Sequence, residues 1–175
     1  MRCVLYLFAA LAFCIAQAAL SFAQSKDESG QSFRTAASGL QVPRFVTLAS
    51  DEVNMRTGPG LQYPITWVLV RESLPVEIIR EFDVWREIRT LDGDEGWVHQ
   101  SLLSGRRTAV IRPNQHRVFS KPETSSRPLA EVEPGVIVGV EECLQDWCYV
   151  DVLNYDGWMP KSAMWGVYDH EVFED

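Results

Sequence analysis

Histidine and cysteine are scarce in this chain, with three and four copies, and their scarcity removes several kinds of chemistry at the outset. His99, His116 and His170 are scattered, whereas a zinc centre draws its ligands from short, recognisable spacings. No metal and no cofactor is expected. Also lacking are Gly-x-Ser-x-Gly, His-Glu-x-x-His, a phosphate loop and Gly-x-Gly-x-x-Gly, the patterns that place a nucleophile, a metal-bound water or a phosphate cradle. Asp92, Asp94 and Glu95 stand together, but in a turn open to water, where carboxylates are solvated rather than held as an acid and base pair. The chain is therefore expected not to be an enzyme. Clustered basic residues are missing too. Sixteen Lys and Arg against 24 Asp and Glu leave a net charge of −8, and gripping a phosphate backbone takes grouped cations. Nucleic acid is not an expected partner, and the acidity serves solubility. Finally, no stretch carries apolar residues at helical spacing over the ten or so positions that a helix needs.

What is present at the N-terminus is a leader. Arg2, the apolar stretch Val4 to Leu20 and Ser21-Phe22-Ala23 have the charged, apolar and small-residue parts of a secretory signal, with cleavage expected after Ala23. Two other readings stay open. An apolar stretch of this length is near the lower limit for a retained membrane anchor, and Leu11-Ala12-Phe13-Cys14 has the outline of a lipoprotein signal, against which the bulky Phe beside the Cys weighs. Cleavage removes Arg2 and no acid, so −8 becomes −9. The protein is expected in the periplasm or secreted, meeting the membrane only through its signal sequence during export. Cys3 and Cys14 leave with the signal. Cys143 and Cys148 remain as a close pair in an exported chain, which reads as a disulfide. The alternative is a redox-active pair, which a helix start at either Cys would favour. Residues 24–42, rich in Ser, Gln, Gly and Ala, read as a flexible spacer, and residues 169–175 as a mobile acidic tail.

Between these ends the chain is a series of short β-type runs: Phe45–Leu48, Val53–Arg56, Thr66–Val70, Val76–Phe82, Trp85–Thr90 and Gly96–Gln100. Each is bounded by turn residues such as Pro64, Pro75, Asp83 and Asp92-Gly93-Asp94. Gly58-Pro59-Gly60 is a sharp turn, in which Pro fixes one φ and the glycines are expected to permit positive φ. Gly96-Trp97-Val98 has the composition of a strand leaving a turn. The second half repeats the first. Trp85-Arg86-Glu87-Ile88 aligns with Trp147-Cys148-Tyr149-Val150, and Gly96-Trp97-Val98 with Gly157-Trp158-Met159. The join at Gly105-Arg106-Arg107 is too short for a free linker, so a small contact between the copies is expected. The copies differ at the turn, where Arg56-Thr57-Gly58-Pro59-Gly60 is replaced by Phe119-Ser120-Lys121-Pro122-Glu123.

Asn54-Met55-Arg56-Thr57-Gly58-Pro59-Gly60, then Leu74-Pro75-Val76-Glu77-Ile78, Trp85, Gly96-Trp97-Val98 and Ser101-Leu102-Leu103, in that order and spacing, resemble the bacterial SH3-like domain. With Gly105-Arg106-Arg107 and Leu144-Gln145-Asp146-Trp147-Cys148, the chain resembles an exported family with two tandem SH3-like repeats. The resemblance implies an all-β protein of two tandem small β-barrels with short 3-10 turns, repeat 1 over residues 43–105 and a diverged repeat 2 over 106–168. It also implies binding rather than catalysis, with cell-wall peptidoglycan or an envelope protein as partner.

Candidate contact residues follow from strand alternation. Cys148, Val150 and Val152 share one face, which turns Trp147 and Tyr149 to the other beside Asp151. In the first copy Ile88 goes inward, leaving Trp85 outward with Glu87 and Arg89. An outward aromatic can stack on a sugar ring, a proline or a peptide; alternatively, a bulge at the hairpin turns the Trp back over the barrel rim. Trp97 and Trp158 are expected to pack beneath the closing turn. Tyr63 and Trp67 lie just past the Gly-Pro-Gly turn, where grooves of such barrels open. Arg56 either clamps the turn through Asp51 or Glu52 or meets a ligand carboxylate. The sequence thus points to a non-catalytic exported module that docks to an envelope component such as peptidoglycan or a wall-associated peptide. The alternative is a protein–protein adaptor or accessory subunit of a periplasmic complex.

Overall fold

Short runs in which apolar residues alternate with polar ones can bury one face only by pairing edge to edge and curling over a shared core. The computed structural model, which describes residues 34–36, 38–114 and 116–174, follows that logic twice. The leader and the first part of the expected spacer lie outside the described residues. A two-stranded ribbon, β1 (Arg34–Thr35) and β2 (Gln41–Val42), precedes the first barrel. That barrel contains β3 (Arg44–Leu48), β4 (Val53–Arg56), β5 (Ile65–Leu69), β6 (Pro75–Phe82), β7 (Trp85–Arg89) and β8 (Glu95–His99). A 3-10 turn at Gln100–Leu102 and β9 (Leu103–Ser104) complete it. The second contains β10 (Thr108–Ile111), β11 (His116–Phe119), β12 (Pro128–Val132), β13 (Ile137–Cys143), β14 (Trp147–Val152) and β15 (Tyr155–Pro160). It ends in a 3-10 turn at Lys161–Ala163 and β16 (Met164–Trp165). The strands lie in the order β5-β4-β8-β7-β6-β3-β9 and β12-β11-β15-β14-β13-β10-β16. The two orders correspond strand for strand, so the repeat in the sequence is a repeat of topology. The fold is all-β, two tandem SH3-like barrels.

Each barrel has its own core. Leu48, Val53, Met55, Val76, Ile78, Ile88 and Val98 fill the first. Ile111, Val118, Val138, Cys143, Cys148, Val150 and Met159 are among those that fill the second. The pairing of β6 with β7 is interrupted by a bulge between Ile78 and Arg80, and that of β13 with β14 by one between Val140 and Glu142. A bulge adds twist and resets which face the following residues occupy.

The Gly-Trp steps are explained by space rather than flexibility. Gly96 is the second residue of β8, and a Cβ there would stand 2.9 Å from the Arg56 carbonyl and 2.5 Å from Met55 Cγ. In the second barrel, a Cβ on Gly157 would stand 2.6 Å from the Phe119 carbonyl. In both, β4 or β11 crosses so closely that only a residue without a side chain fits. The Gly58-Pro59-Gly60 turn also departs from expectation. Neither glycine is among the residues with positive φ. Gly58 instead makes room for Tyr63, whose ring carbon Cδ1 would lie 2.5 Å from an added Cβ.

The two ends of the folded region are tied down, contrary to the reading of composition alone. Val42, in the stretch read as spacer, is 7% exposed in the first core. Ser38 bonds to Glu81 through its backbone N–H at 2.9 Å and its hydroxyl at 3.0 Å. At the other end, Phe173 and Cys143 exchange backbone bonds of 2.8 and 3.1 Å, and Arg107 pairs with Glu171. Buried partners in the barrels decide the order of both segments; composition cannot see them.

The barrels meet in a small polar and aromatic contact. Thr47 of β3 and Thr108 of β10 share a hydroxyl bond of 2.8 Å, and Thr108 Oγ1 donates to the Ser73 carbonyl at 2.9 Å. Phe45 packs against Trp165 and Tyr168, with centroids 5.0 and 4.7 Å away, and Tyr168 Oη donates to Glu77 at 2.8 Å. Burial and the neighbouring Glu77 carboxylate push the Tyr168 phenol well above its usual range, which keeps it a donor.

Candidate functional site

β5 is the outermost strand of the first sheet, so one backbone edge is open, and of its side chains only Leu69 packs on the core. A sequence of Ile, Thr, Trp, Val and Leu at such a position leaves apolar area in water. Leu61, Tyr63, Ile65, Trp67, Val68 and Val70 are all exposed. At the equivalent place in the second barrel, β12 is more covered: Leu129 and Ala130 pack on the core and Val132 is buried. Apolar side chains gathered on one edge mark a contact surface more often than isolated exposed ones do.

The loop between β4 and β5 gives this surface its shape. Arg56 Nη1 donates to the carbonyls of Leu61 and Tyr63 at 3.2 and 2.8 Å. It is a turn clamp, though not through Asp51 or Glu52, because the loop folds back across β4 and brings its own carbonyls within reach. Thr57 N–H donates to the Pro64 carbonyl at 3.0 Å, closing the base of the loop. Tyr63, its ring seated over Gly58, and Trp67, opposite Met55 in the register, therefore stand on a braced platform. Trp67 is 53% exposed, enough to present a ring face. Of the residues singled out in the sequence, the fold brings Arg56, Tyr63 and Trp67 into one place.

The other three lie elsewhere. Trp85, expected outward, is 9% exposed and packs edge-on to His99 at 5.6 Å. On the same face of β7, Glu87 is held by Arg80, and Phe82 stands opposite Trp85 in the register. On the other face, with Ile88, Arg86 bonds to the Asp83 carbonyl and to Gln100, its Nε 3.2 Å from Glu81. Trp85 thus offers no open ring face. Trp147 and Tyr149 do face away from the core with Asp151, as alternation requires, in a β14 whose Cys148, Val150 and Val152 are buried. Trp147 sits edge-on to Phe119 at 5.7 Å, Tyr149 to Trp158 at 5.4 Å. Cys143 and Cys148 are bonded to each other across the β13–β14 hairpin, and both are fully buried.

Several exposed apolar or aromatic residues were not picked out from the sequence. Leu61, Ile65, Val68 and Val70 were missed because only the sheet order reveals that β5 is an edge. Trp158, expected to be packed away, is only half-buried. Among the described residues, no group of three or more His, Cys, Asp and Glu is placed to hold a metal ion, and no helix is long and apolar enough to cross a membrane.

Comparison with known proteins agrees with this architecture. The family model described as bacterial SH3 domain matches residues 49–105 and again 113–166. The Bacillus subtilis (strain 168) protein named "Putative N-acetylmuramoyl-L-alanine amidase YrvJ" is 29% identical over 139 residues, which is 73% of this chain and 26% of that protein. The chain thus spans about a quarter of the length of that relative. Two solved structures from Trichomonas vaginalis, NlpC2 and NlpC1, are 14% identical with TM-scores of 0.33, covering 72% and 74% of this chain and 49% and 48% of theirs. At those scores neither likeness bears on fold or function. Two successive matches over most of both barrels do. The chain belongs to the bacterial SH3 domain family.

Proposed function

We propose that this protein is a non-catalytic, exported binding module that docks to peptidoglycan in the cell envelope through the surface built by Tyr63, Ile65 and Trp67 on the first barrel. The observation that carries the reading is the exposure of Trp67 and its apolar neighbours on a braced edge strand. An aromatic face held this way can stack on a sugar ring or an extended peptide without ordering a loop at the moment of binding. The family supports the reading, as does a relative whose name places it on an N-acetylmuramoyl-L-alanine bond. The buried disulfide supports folding in an oxidising compartment after removal of the leader. The open backbone edge of β5 favours a second reading, in which a partner protein adds a strand there and the chain acts as an adaptor.

Co-sedimentation of the processed protein with purified sacculi tests the first reading. Retention is expected, and Trp67→Ala is expected to weaken it about tenfold, the scale of a lost aromatic contact. As Trp67 is exposed, the variant should keep the wild-type circular dichroism and melting temperature. No retention of the wild type, or equal retention of a folded Trp67→Ala, would refute it. Co-purification of one stoichiometric envelope protein, lost in the same variant, would favour the adaptor.

A further inference from the structure

In the first barrel three side chains stand in one row across neighbouring strands. Arg80 on β6 is opposite Glu87 on β7, and Glu87 is opposite Trp97 on β8. The row closes on itself. Arg80 Nε donates to Glu87 Oε2 at 2.5 Å, and the guanidinium carbon lies 5.7 Å from the centre of the Trp97 ring. Trp97 is left only 9% exposed.

The second barrel has the same row in the same register after the same bulge, but its residues are Glu142, Tyr149 and Trp158. The arginine has become a glutamate, while the tryptophan stays. Tyr149 stands edge-on to Trp158, with ring planes 72° apart. A cavity of about 730 Å³ opens beside them, lined by Glu141, Glu142, Tyr149, Trp158 and Glu174. No cation is among those residues; Glu141 and Glu174 also border an adjoining cavity that Arg106 and Arg107 line, which leaves Glu142 beside the aromatic pair as the carboxylate without an arginine along its cavity wall. Glu141 and Glu142 are presented by the bulge in β13. Glu174 is presented by the C-terminal segment, which the neighbouring Phe173 fastens to Cys143.

Carboxylates of one sign around an aromatic pair repel one another, and the arrangement becomes favourable when a cation shares the space. The first barrel shows which cation this row accommodates. We propose that the cavity of the second barrel receives the guanidinium of an arginine side chain from a peptide, in the place that Arg80 fills in the first. The planar cation stacks on Trp158 while its N–H donors meet the surrounding carboxylates. A lysine ammonium, compact and strongly hydrated, gains less from the ring. The cavity volume lies within the roughly 300–1,000 Å³ typical of ligand pockets, and the chain's net charge of −8 draws a basic peptide towards it. The inference uses the second barrel alone and does not depend on binding to peptidoglycan.

The test is a titration of the full processed chain with the capped peptide Gly-Gly-Arg-Gly-Gly, followed by the indole N–H resonance of Trp158. The same peptide with citrulline, which keeps the shape and loses the charge, and one with lysine serve as controls. Saturable binding in the millimolar range is expected for arginine, at least about tenfold weaker for citrulline and several-fold weaker for lysine. Glu142→Gln should weaken the arginine peptide several-fold, and added salt should do the same. The double variant Glu142→Arg with Tyr149→Glu writes the row of the first barrel into the second; it should fold, shift the Trp158 resonance without any peptide, and no longer bind. Equal binding of arginine and citrulline peptides, no shift of Trp158, or an unchanged affinity in a folded Glu142→Gln protein would overturn the proposal. Equal binding of lysine would overturn the preference for a guanidinium. Since Glu142 is remote from the Trp67 surface in sequence and barrel, Glu142→Gln should leave retention on sacculi unchanged, so the two readings fail separately.

Discussion

Lys161→Met removes a cation from the point where three parts of the second barrel are joined. Lys161 is 4% exposed, and its ammonium donates to the carbonyls of Gln145, Asp169 and Glu171 at 2.8, 2.9 and 2.6 Å. Those bonds tie the disulfide hairpin and the C-terminal segment to the 3-10 turn. Hydrogen bonds from a charged donor contribute about 1.5–3 kcal/mol each, and stranding a buried acceptor costs about 1–3 kcal/mol. Against this, methionine avoids the several kcal/mol needed to strip water from an ammonium. The difference leaves a loss of roughly 2–4 kcal/mol, to be read as a lower midpoint in equilibrium urea unfolding. Carboxypeptidase should also trim the variant back from residue 174 faster than the wild type. The pH dependence gives an independent check. Burial holds the Lys161 pKa below its usual 10.5, so between its folded value and 10.5 the unfolded chain binds the extra proton. Wild-type stability from this group then rises with pH across that window, and the methionine variant lacks the slope. A variant within about 0.5 kcal/mol of wild type, the ordinary scatter of surface substitutions, would refute the reasoning.

Two further outcomes follow from buried groups. Replacing both Cys143 and Cys148 by alanine should cost about 2 kcal/mol from the loop-closure entropy of so short a bridge; reductant should lower the wild-type melting temperature and leave the variant's unchanged, and a loss near zero would count against the estimate. Glu81 and Glu171 should make the fold sensitive to acid. Burial is the largest influence on each carboxyl and alone would raise its pKa, but at Glu81 the bonds from Arg44 and Ser38, and at Glu171 the pairing with Arg107, outweigh it and hold both below the usual 4.5. As the pH falls through that region the unfolded chain takes up the protons first, so their contribution is whole above about 4.5 and is lost as the pH drops through the folded values. Glu171→Gln should flatten the fall in urea midpoint between about pH 5 and 2, and an unchanged fall would show that Glu171 carries none of it.

The strands were legible because their signals are local. Alternation fixed Val53–Arg56 as it stands, and the turn residues around Pro64, Pro75 and Asp92-Gly93 placed the neighbouring strand ends to within a residue. The pairing of Cys143 with Cys148 was legible because both face each other across a two-strand hairpin. Trp85 was misplaced for the opposite reason. Alternation gives the side of the strand but not what lies over that side, and here His99, just before the 3-10 turn, packs edge-on against the ring. The order of residues 38–42 and 169–174 was hidden in the same way: Glu81, Arg107 and Cys143, all distant in sequence, hold them.

The sequence by itself determined that the chain is two copies of one β unit and that the copies differ at Arg56-Thr57-Gly58-Pro59-Gly60, because turn chemistry and alternation act over a few residues. Only the tertiary structure decided what those differences expose. Whether a tryptophan is covered or open depends on which strand ends a sheet, as at Trp67, and on which side chain from the next strand lies over it: Arg80 at Trp97, whereas no cation is among the described residues that line the cavity at Trp158. Those are contacts between residues far apart in the chain, and the physical forces that decide them, burial and charge pairing, act through space rather than along the sequence.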